Sequence, residues 1–167
     1  MTILKIEIGR DNPILRAKSQ KVLKFDKKLK KFAQKMTATM FAADGVGLAA
    51  PQVGVNEQIV ILNFQISAKD SRPITLINPE IIDASTKLDE AEEGCLSLPK
   101  EFASVIRHVG VTVRFADESG APRILELDGL NARAIQHEID HLNGILFIDR
   151  AEGRIQHTTI KSPQKTF

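Results

Sequence analysis

Four segments rich in β-branched residues recur along this chain, and they constrain its fold more than any other feature. They are QIVILNF (58–64), ITLINPEII (74–82), VGVTVRFA (109–116) and RILELDG (123–129). Because β-branched residues favour extended backbone, each segment is predicted to form a strand. The last two alternate in polarity on either side of the short sequence ESGAP, and this pattern predicts a hairpin.

Two other segments carry apolar residues at helical spacing. From Asp26 to about residue 43 apolar residues recur every three or four positions, and Asp26 is a favourable N-cap residue. A second helix is predicted to begin near Gly129 or Leu130 and to end at Asn143-Gly144, since glycine commonly terminates helices. Strands therefore dominate the chain, and two helices interrupt them.

Length and composition limit the chain to one domain. Its 167 residues are 43% apolar, which is enough for one substantial core. The formal net charge of +2 comes from nearly balanced acids and bases, so composition does not indicate direct nucleic-acid binding. The basic stretch from Lys18 to Lys31 is interpreted as a solvated helix face. The single cysteine, Cys95, can form no internal disulfide, which fits a reducing compartment.

No segment of the sequence has the pattern of a membrane anchor. No apolar run approaches the roughly 20 residues that span a bilayer, and the residues after Met1 lack the apolar region of a signal peptide. We therefore expect neither membrane insertion nor secretion, and a cytoplasmic location.

The sequence HEIDH, residues 137 to 141, carries the strongest chemical signal. His137 and His141 are four residues apart, about 40° around a helix, so both imidazoles can reach one metal ion. Glu138 lies about 60° from His141, close enough to face a metal-activated water without being a ligand. An exposed helix face is the other interpretation of such a pair. The HExxH pattern favours a metal site.

A catalytic zinc or iron centre needs a third protein ligand. The segment EEGCLSLP (92–99) offers Cys95 beside a glycine that permits close backbone approach. Cys95 can also be a buried apolar residue or a reactive thiol, but a purely structural cysteine is less favoured beside HExxH. A second unusual segment, GVGLAAPQV (45–53), is nearly all small or apolar around one amide side chain, Gln52, and is interpreted as a wall with one hydrogen-bonding group.

Three stretches, in this order and at these separations, resemble the signature motifs of the peptide deformylase family. They are GVGLAAPQ (45–52), EGCLSLP (93–99) and QHEIDHLNG (136–144). The resemblance extends over nearly the whole chain. It implies an α+β fold in which antiparallel sheets surround a central metal-binding helix. It also implies a single catalytic domain at residues 1–150 and a short polar C-terminal tail at residues 151–167.

The resemblance implies a role for each candidate residue. Cys95, His137 and His141 would be the metal ligands with a water as the fourth, and Glu138 the general acid and base. One divalent ion is implied: Fe²⁺ as the native metal, with Zn²⁺, Ni²⁺ or Co²⁺ also accepted by the family.

The family pattern also implies how substrate is held. The Gln52 amide and the backbone N–H of Leu96 would form an oxyanion hole for the scissile carbonyl. The substrate-binding residues would be Val46, Gly47, Leu48 and Ala134. The first two would exchange backbone hydrogen bonds with an extended peptide, and the apolar wall would admit a long unbranched side chain.

The implied reaction is removal of the formyl group from formyl-methionyl nascent polypeptides, with release of formate. Nascent chains are therefore the expected partner, with a transient ribosome contact. The tail is short compared with the C-terminal helix by which many bacterial relatives dock on the ribosome, so we expect weaker docking. The chain is expected to act as a monomer.

Two other functions remain open at this point. A zinc peptidase could hold its metal with HEIDH and a carboxylate from Glu92 or Glu93. Alternatively, a deformylase-like protein could have lost activity and serve as a binding module. The presence of Gln52, Cys95 and Glu138 argues against the second alternative.

Overall fold

The computed structural model describes residues 2–67, 70–153 and 155–157. Three α-helices occur within these residues: α1 (Pro13–Arg16), α2 (Lys27–Ala42) and α3 (Gly129–Leu142). The strands are β1 (Gly47–Ala49), β2 (Ile59–Ser67), β3 (Asp70–Ala84), β4 (Leu88–Cys95), β5 (Leu98–His108), β6 (Gly110–Ala116), β7 (Pro122–Asp128) and β8 (Gln156–His157). All four predicted strands and both predicted helices are present.

Two antiparallel sheets make up the β structure. The larger sheet has the strand order β1-β2-β3-β6-β7, and the smaller sheet has the order β4-β5-β8. All pairings within both sheets are antiparallel. The α+β class expected from the sequence is confirmed, with antiparallel sheets and few helices, as in solved structures of similar chains.

The predicted hairpin joins β6 and β7. The carboxylate of Asp117 accepts hydrogen bonds from the backbone N–H groups of Ser119 and Ala121, at 2.9 and 3.1 Å. Gly120 follows with φ +85°, a backbone conformation that favours glycine. These hydrogen bonds between the Asp117 side chain and the backbone hold the turn in shape and help to fix the pairing of β6 with β7.

Helix α2 begins after Asp26, the N-cap residue that the sequence predicts. The Asp26 side chain accepts hydrogen bonds from the N–H groups of Lys28 and Leu29, two of the donors that a helix start leaves without partners. The buried side of α2 includes Met36 and Met40, which pack against β2 in one hydrophobic cluster. Helix α2 therefore covers part of the larger sheet.

Helix α3 lies deeper in the molecule. Eleven of its residues are buried, and the helix contacts β1, β2 and β7 of the larger sheet as well as β5 of the smaller one. A helix buried on most of its surface can present polar side chains only to a protected site. Among the described residues, no helix combines the length and hydropathy needed to cross a membrane.

The predicted tail falls partly outside the described residues. Of residues 151–167, the structure describes 151–153 and 155–157, while residues 154 and 158–167 lie outside it. Gln156–His157 form β8, which pairs with Glu101 and Phe102 of β5. The start of the tail thus extends the smaller sheet.

Candidate active site

The predicted metal ligands converge between α3 and the β4–β5 hairpin. Cys95, His137 and His141 are each 1% exposed, and one ligand atom from each lies within 4.8 Å of the others. The Cys95 Sγ atom is 3.2 Å from His141 Nε2, and the two imidazole rings are 5.0 Å apart. A buried cluster of one thiol and two imidazoles matches the donor set of a zinc or iron site.

An irregularity in the β4–β5 hairpin sets the position of Cys95. The register shifts between Gly94 and Cys95, and the Ser97 N–H then donates to Cys95 Sγ at 3.4 Å. Burial raises the pKa of the Cys95 thiol to about 12. A metal ion bound to Cys95 would lower this pKa again, because a thiol that coordinates a metal is deprotonated.

Glu93 orients His137. Its Oε2 atom accepts a hydrogen bond from His137 Nδ1 at 2.9 Å, which leaves Nε2 as the coordinating atom. Burial alone would raise the pKa of Glu93, but hydrogen bonds and charges from His137 and Arg107 hold it well below its usual range. Glu93 is therefore an ionised, buried partner of His137, and such carboxylates are common behind the histidine ligands of metal sites.

Glu138 is fully buried beside the proposed ligands. Neither of its carboxylate oxygens has a partner in normal hydrogen-bond geometry among the described residues. The nearby Ala49 N–H, which donates to Gln52 Oε1, lowers the pKa of Glu138 by less than burial raises it. Burial raises the pKa of Glu138 well above its usual value, and the charge of Glu93 adds to the effect. A buried carboxyl group with free acceptors and a raised pKa is suited to move a proton.

Gln52 is fixed by hydrogen bonds at both ends of its amide. Its Oε1 atom accepts from the Ala49 N–H at 2.8 Å. Its Nε2 atom is 3.5 Å from Cys95 Sγ and 3.3 Å from Ser97 Oγ. The amide can therefore present only its NH₂ group to the thiol side of the site. This agrees with the interpretation of the 45–53 segment as a wall with one donor.

The predicted substrate-binding residues divide between two hydrophobic clusters. Val46 and Ala134 pack in the cluster beneath α3, whereas Leu48 packs with α2 in the other. Gly47 lies between them on β1, and a Cβ atom there would collide with Glu138 Oε1. Leu96 is half-buried next to Cys95.

The peptidase ligand set is not favoured by this geometry. Glu92 is exposed, and Glu93 already accepts hydrogen bonds from His137 and two arginines. Within the described part of the chain, the group whose ligand atoms converge is Cys95 with the two histidines of HEIDH. A thiol in this group distinguishes the candidate centre from a peptidase site in which a carboxylate is the third ligand.

Sequence reasoning missed the ionic contacts behind the metal site. Glu93 was considered only as an alternative ligand, whereas Arg133 and Asp140 were not singled out. Arg133 donates to Glu93 and Asp140 accepts from Arg107. The available signal was position: Arg133 lies four residues before His137 and Asp140 three after it, so all three share one side of α3.

Comparison with known proteins identifies similar chains. The family model for polypeptide deformylase matches residues 3–156. A protein named peptide deformylase from Prochlorococcus marinus (strain AS9601) is 45% identical over 148 residues, which cover 89% of this chain and 73% of the relative. The crystal structure of peptide deformylase from Thermotoga maritima gives a TM-score of 0.85 at 40% identity, covering 92% of this chain and 100% of that chain. A class I type b peptide deformylase from Acinetobacter baumannii with Met-Ala-Ser bound gives a TM-score of 0.82 at 34% identity, over 89% and 98%.

Proposed function

This chain belongs to the peptide deformylase family of metal-dependent hydrolases, and from that membership we propose which of its residues carry out the reaction. Peptide deformylases remove the N-terminal formyl group from formyl-methionyl nascent polypeptides and release formate. The observation that carries the assignment of residues is the buried convergence of Cys95, His137 and His141 next to Glu138.

The three converging side chains would hold one divalent ion on α3, which makes α3 the metal-binding helix of the fold. Such an ion supplies Lewis acidity, by acidifying a water molecule and polarising the formyl carbonyl. One thiolate lowers the charge of the centre from +2 to +1 and softens it, which suits iron or zinc. We propose Fe²⁺ as the native ion, with Zn²⁺, Ni²⁺ or Co²⁺ able to replace it.

Glu138 would act as general base and then as general acid. Its two oxygens are buried and accept no hydrogen bond from the described residues, so they can take a proton from the attacking water. The same carboxyl group would then give that proton to the departing nitrogen. The raised pKa of Glu138, which burial causes first of all, makes its carboxylate a stronger base towards the attacking water.

Gln52 and Leu96 would stabilise the charge that develops on the carbonyl oxygen. The Gln52 amide is locked by the Ala49 N–H, so its NH₂ group would donate without reorganising during the reaction. The backbone N–H of Leu96, next to Cys95, would be the second donor. Fixed donors stabilise the transition state more than groups that must first turn towards it.

Strand β1 would bind the substrate as an added strand. It is the first strand of the larger sheet, and among the described residues its partner strand is β2. The carbonyl of Val46, just before β1, accepts from the Asn63 N–H, so the Val46 N–H and the backbone of Gly47 would bond to an extended peptide along the other edge. Ala134 would contribute apolar surface for the methionine side chain from the cluster beneath α3, and Leu48 from the cluster shared with α2. The binding of a Met-Ala-Ser peptide by the Acinetobacter enzyme supports methionine as the first residue of the substrate.

We further propose that residues 1–150 form the catalytic domain, to which the tail adds β8. The chain would act as a cytoplasmic monomer that meets its substrates at the ribosome through a transient contact. Its substrates, nascent polypeptides, support this location.

The assignment is tested by formate release from formyl-Met-Ala-Ser, with acetyl-Met-Ala-Ser as the matched comparison. We expect rapid release from the first peptide and almost no turnover of the second, because the extra methyl group would displace the carbonyl from Gln52 and Leu96. A chelator should abolish the activity, and added metal should restore it. Comparable turnover of both peptides would show a broader amidase or peptidase and would refute the assignment.

Cys95→Ala tests the ligand set independently of activity. We expect this variant to lose most of its bound metal, because two histidines alone make a poor site. Full metal occupancy in the variant would refute the role of Cys95 as a ligand.

A further inference from the structure

Five charged side chains form a continuous ion chain behind His137. In order of contact they are Arg133, Glu93, Arg107, Asp140 and Arg150. The signs alternate, so two carboxylates lie among three guanidinium groups. All but Arg150 are buried, and buried charges require partners of opposite sign.

Arg133 occupies one end of this ion chain. It lies on α3 one turn before His137, and its side chain is 7% exposed. Its NH1 atom donates to Glu93 Oε1 at 2.8 Å and to the Val105 carbonyl of β5 at 2.9 Å. Its NH2 atom donates to the Asp89 carbonyl of β4 at 2.8 Å. One guanidinium group therefore ties α3 to both strands of the hairpin that carries Cys95.

The carboxylate of Glu93 accepts four hydrogen bonds. Oε1 accepts from Arg107 Nε and from Arg133, whereas Oε2 accepts from Arg107 and from His137 Nδ1. Arg107 contacts both oxygens from β5 through Nε and NH2, while its NH1 atom is bonded to Asp140 at 2.5 Å. Arg133 adds the contact that holds Oε1 from the side of α3, the helix that carries His137.

We propose that Arg133 is a positioning residue that fixes the Glu93 carboxylate against His137 and thereby orients the His137 ring for metal binding. The inference rests on the proposed role of His137 as a ligand. The three acceptors of Arg133 are Glu93 Oε1 and the carbonyl oxygens of Val105 and Asp89. The planar guanidinium group of arginine can donate to all three at once, whereas a lysine ammonium group cannot reach them in the same way. The orientation of a ligand histidine by its hydrogen-bond partner governs metal affinity.

The test compares four proteins: the wild type, Arg133→Met, Arg133→Lys and Arg150→Met. Methionine keeps an unbranched apolar chain in α3, and lysine keeps the charge without the fork. Arg150 belongs to the same ion chain but contacts Asp140 rather than Glu93, so its loss reports on general loosening of the fold. Zinc dissociation constants are measured by chelator competition, and electronic spectra are recorded on the Co²⁺-loaded proteins.

We expect Arg133→Met to weaken zinc binding by about 10- to 100-fold, the range typical for loss of a partner behind a metal ligand, and to shift the Co²⁺ spectrum. Arg133→Lys should fall between Arg133→Met and the wild type. Arg150→Met should keep the wild-type zinc affinity and Co²⁺ spectrum even where it lowers the urea midpoint of the metal-free protein.

Unchanged zinc affinity and an unchanged Co²⁺ spectrum in Arg133→Met would overturn the proposal. Equal changes in Arg133→Met and Arg150→Met would also overturn it, because they would show a merely structural role. If Arg133→Met does not fold, Arg133→Lys decides, and wild-type zinc binding and spectrum in that variant refute the proposal. Formate release by the wild type, measured in parallel, tests the proposed function separately from this inference.

Discussion

At the scale of single residues, Glu138 shows most clearly how burial prepares a group for chemistry. The carboxyl group is fully buried, its pKa is raised by that burial, and its oxygens accept no hydrogen bond from the described residues. A structural carboxylate in such a place would have partners, because an unpaired buried charge is costly. The proposed role of Glu138 in proton transfer would account for all three properties together.

Glu138→Gln should therefore retain the metal and lose nearly all turnover. A glutamine side chain has almost the same shape and can hold a water molecule, but it cannot accept the proton. We expect the rate of formate release to fall by at least about 100-fold, the lower range for loss of a general base. The measurement is formate release per bound metal ion. Activity within about tenfold of the wild type would contradict this role for Glu138.

At the scale of secondary-structure elements, the parts that the sequence predicted are those with a strong local pattern. Asp26 caps α2, and the two strands around the ESGAP turn form the expected hairpin. Strand β4 was not predicted. Its residues Leu88, Asp89 and Glu90 are all exposed, so the strand lacks the alternation that marks a half-buried strand. Its pairing with β5 depends on contacts made elsewhere in the fold.

In the candidate site, too, the residues with a local sequence pattern were predicted and those that depend on distant contacts were not. HExxH spacing identified His137 and His141 because both lie on one helix. The orienting role of Glu93 could not be read in the same way, since its partners Arg107 and Arg133 are 14 and 40 residues away. The contact with Arg107 forms across the folded β4–β5 hairpin, and the contact with Arg133 forms only when α3 packs against that hairpin.

The close approach of β1 to α3 predicts a strong effect of Gly47→Ala. The added methyl group would collide with the Glu138 carboxylate, so the general base must move or turn. We expect formate release to fall by more than tenfold while bound metal stays near the wild-type amount. A 1 Å displacement of a catalytic group can cost about 100-fold.

Gly110→Ala is the matched control for this substitution. Gly110 lies on β6 in the same sheet, and a Cβ atom there would make only ordinary contacts of 3.5 Å or longer. It should keep wild-type activity. If both alanine variants behave alike, the contact between Gly47 and Glu138 has no role in catalysis.

Glu93 of β4 accepts hydrogen bonds from β5 and α3, and these bonds predict how acid affects the stability of the fold. Hydrogen bonds and charges outweigh burial and lower the pKa of Glu93 below 4.5, the ordinary value for a glutamate side chain. The folded state therefore binds fewer protons at this group than the unfolded state does. The resulting stability is present above about pH 4.5 and is lost as the pH falls below that value.

We expect the urea midpoint of the metal-free protein to fall more steeply below pH 4.5 in the wild type than in Glu93→Gln. Metal-free protein is used because protonation of the ligands would otherwise release metal and obscure the effect. Parallel curves for the two proteins over this range would show that Glu93 is not ionised in the folded state.

At the scale of the whole molecule, the two sheets meet on α3 and bring together residues that are distant in sequence. Cys95 and His141 are 46 residues apart and in contact. The proposed centre would combine an oxidisable thiolate with two histidines of α3 in the interior. Its chemistry therefore depends on which ion the folded protein holds.

The iron-loaded protein should lose activity in air, while the zinc- and nickel-loaded forms should persist. Ferrous iron and its thiolate ligand are both oxidisable, whereas Zn²⁺ has no accessible redox change. Formate release is measured at intervals on the three forms, prepared without oxygen and then exposed to air. Equal lifetimes for all three would contradict an iron–thiolate centre.

The central claim is that Cys95, His137 and His141 hold the ion on which hydrolysis depends, and X-ray absorption at the metal edge tests it most directly. In zinc-loaded protein we predict one sulfur at about 2.3 Å and two histidine nitrogens at about 2.0–2.1 Å. The sulfur contribution should be absent from Cys95→Ala. A first coordination shell of nitrogen and oxygen alone in the wild type would contradict the account.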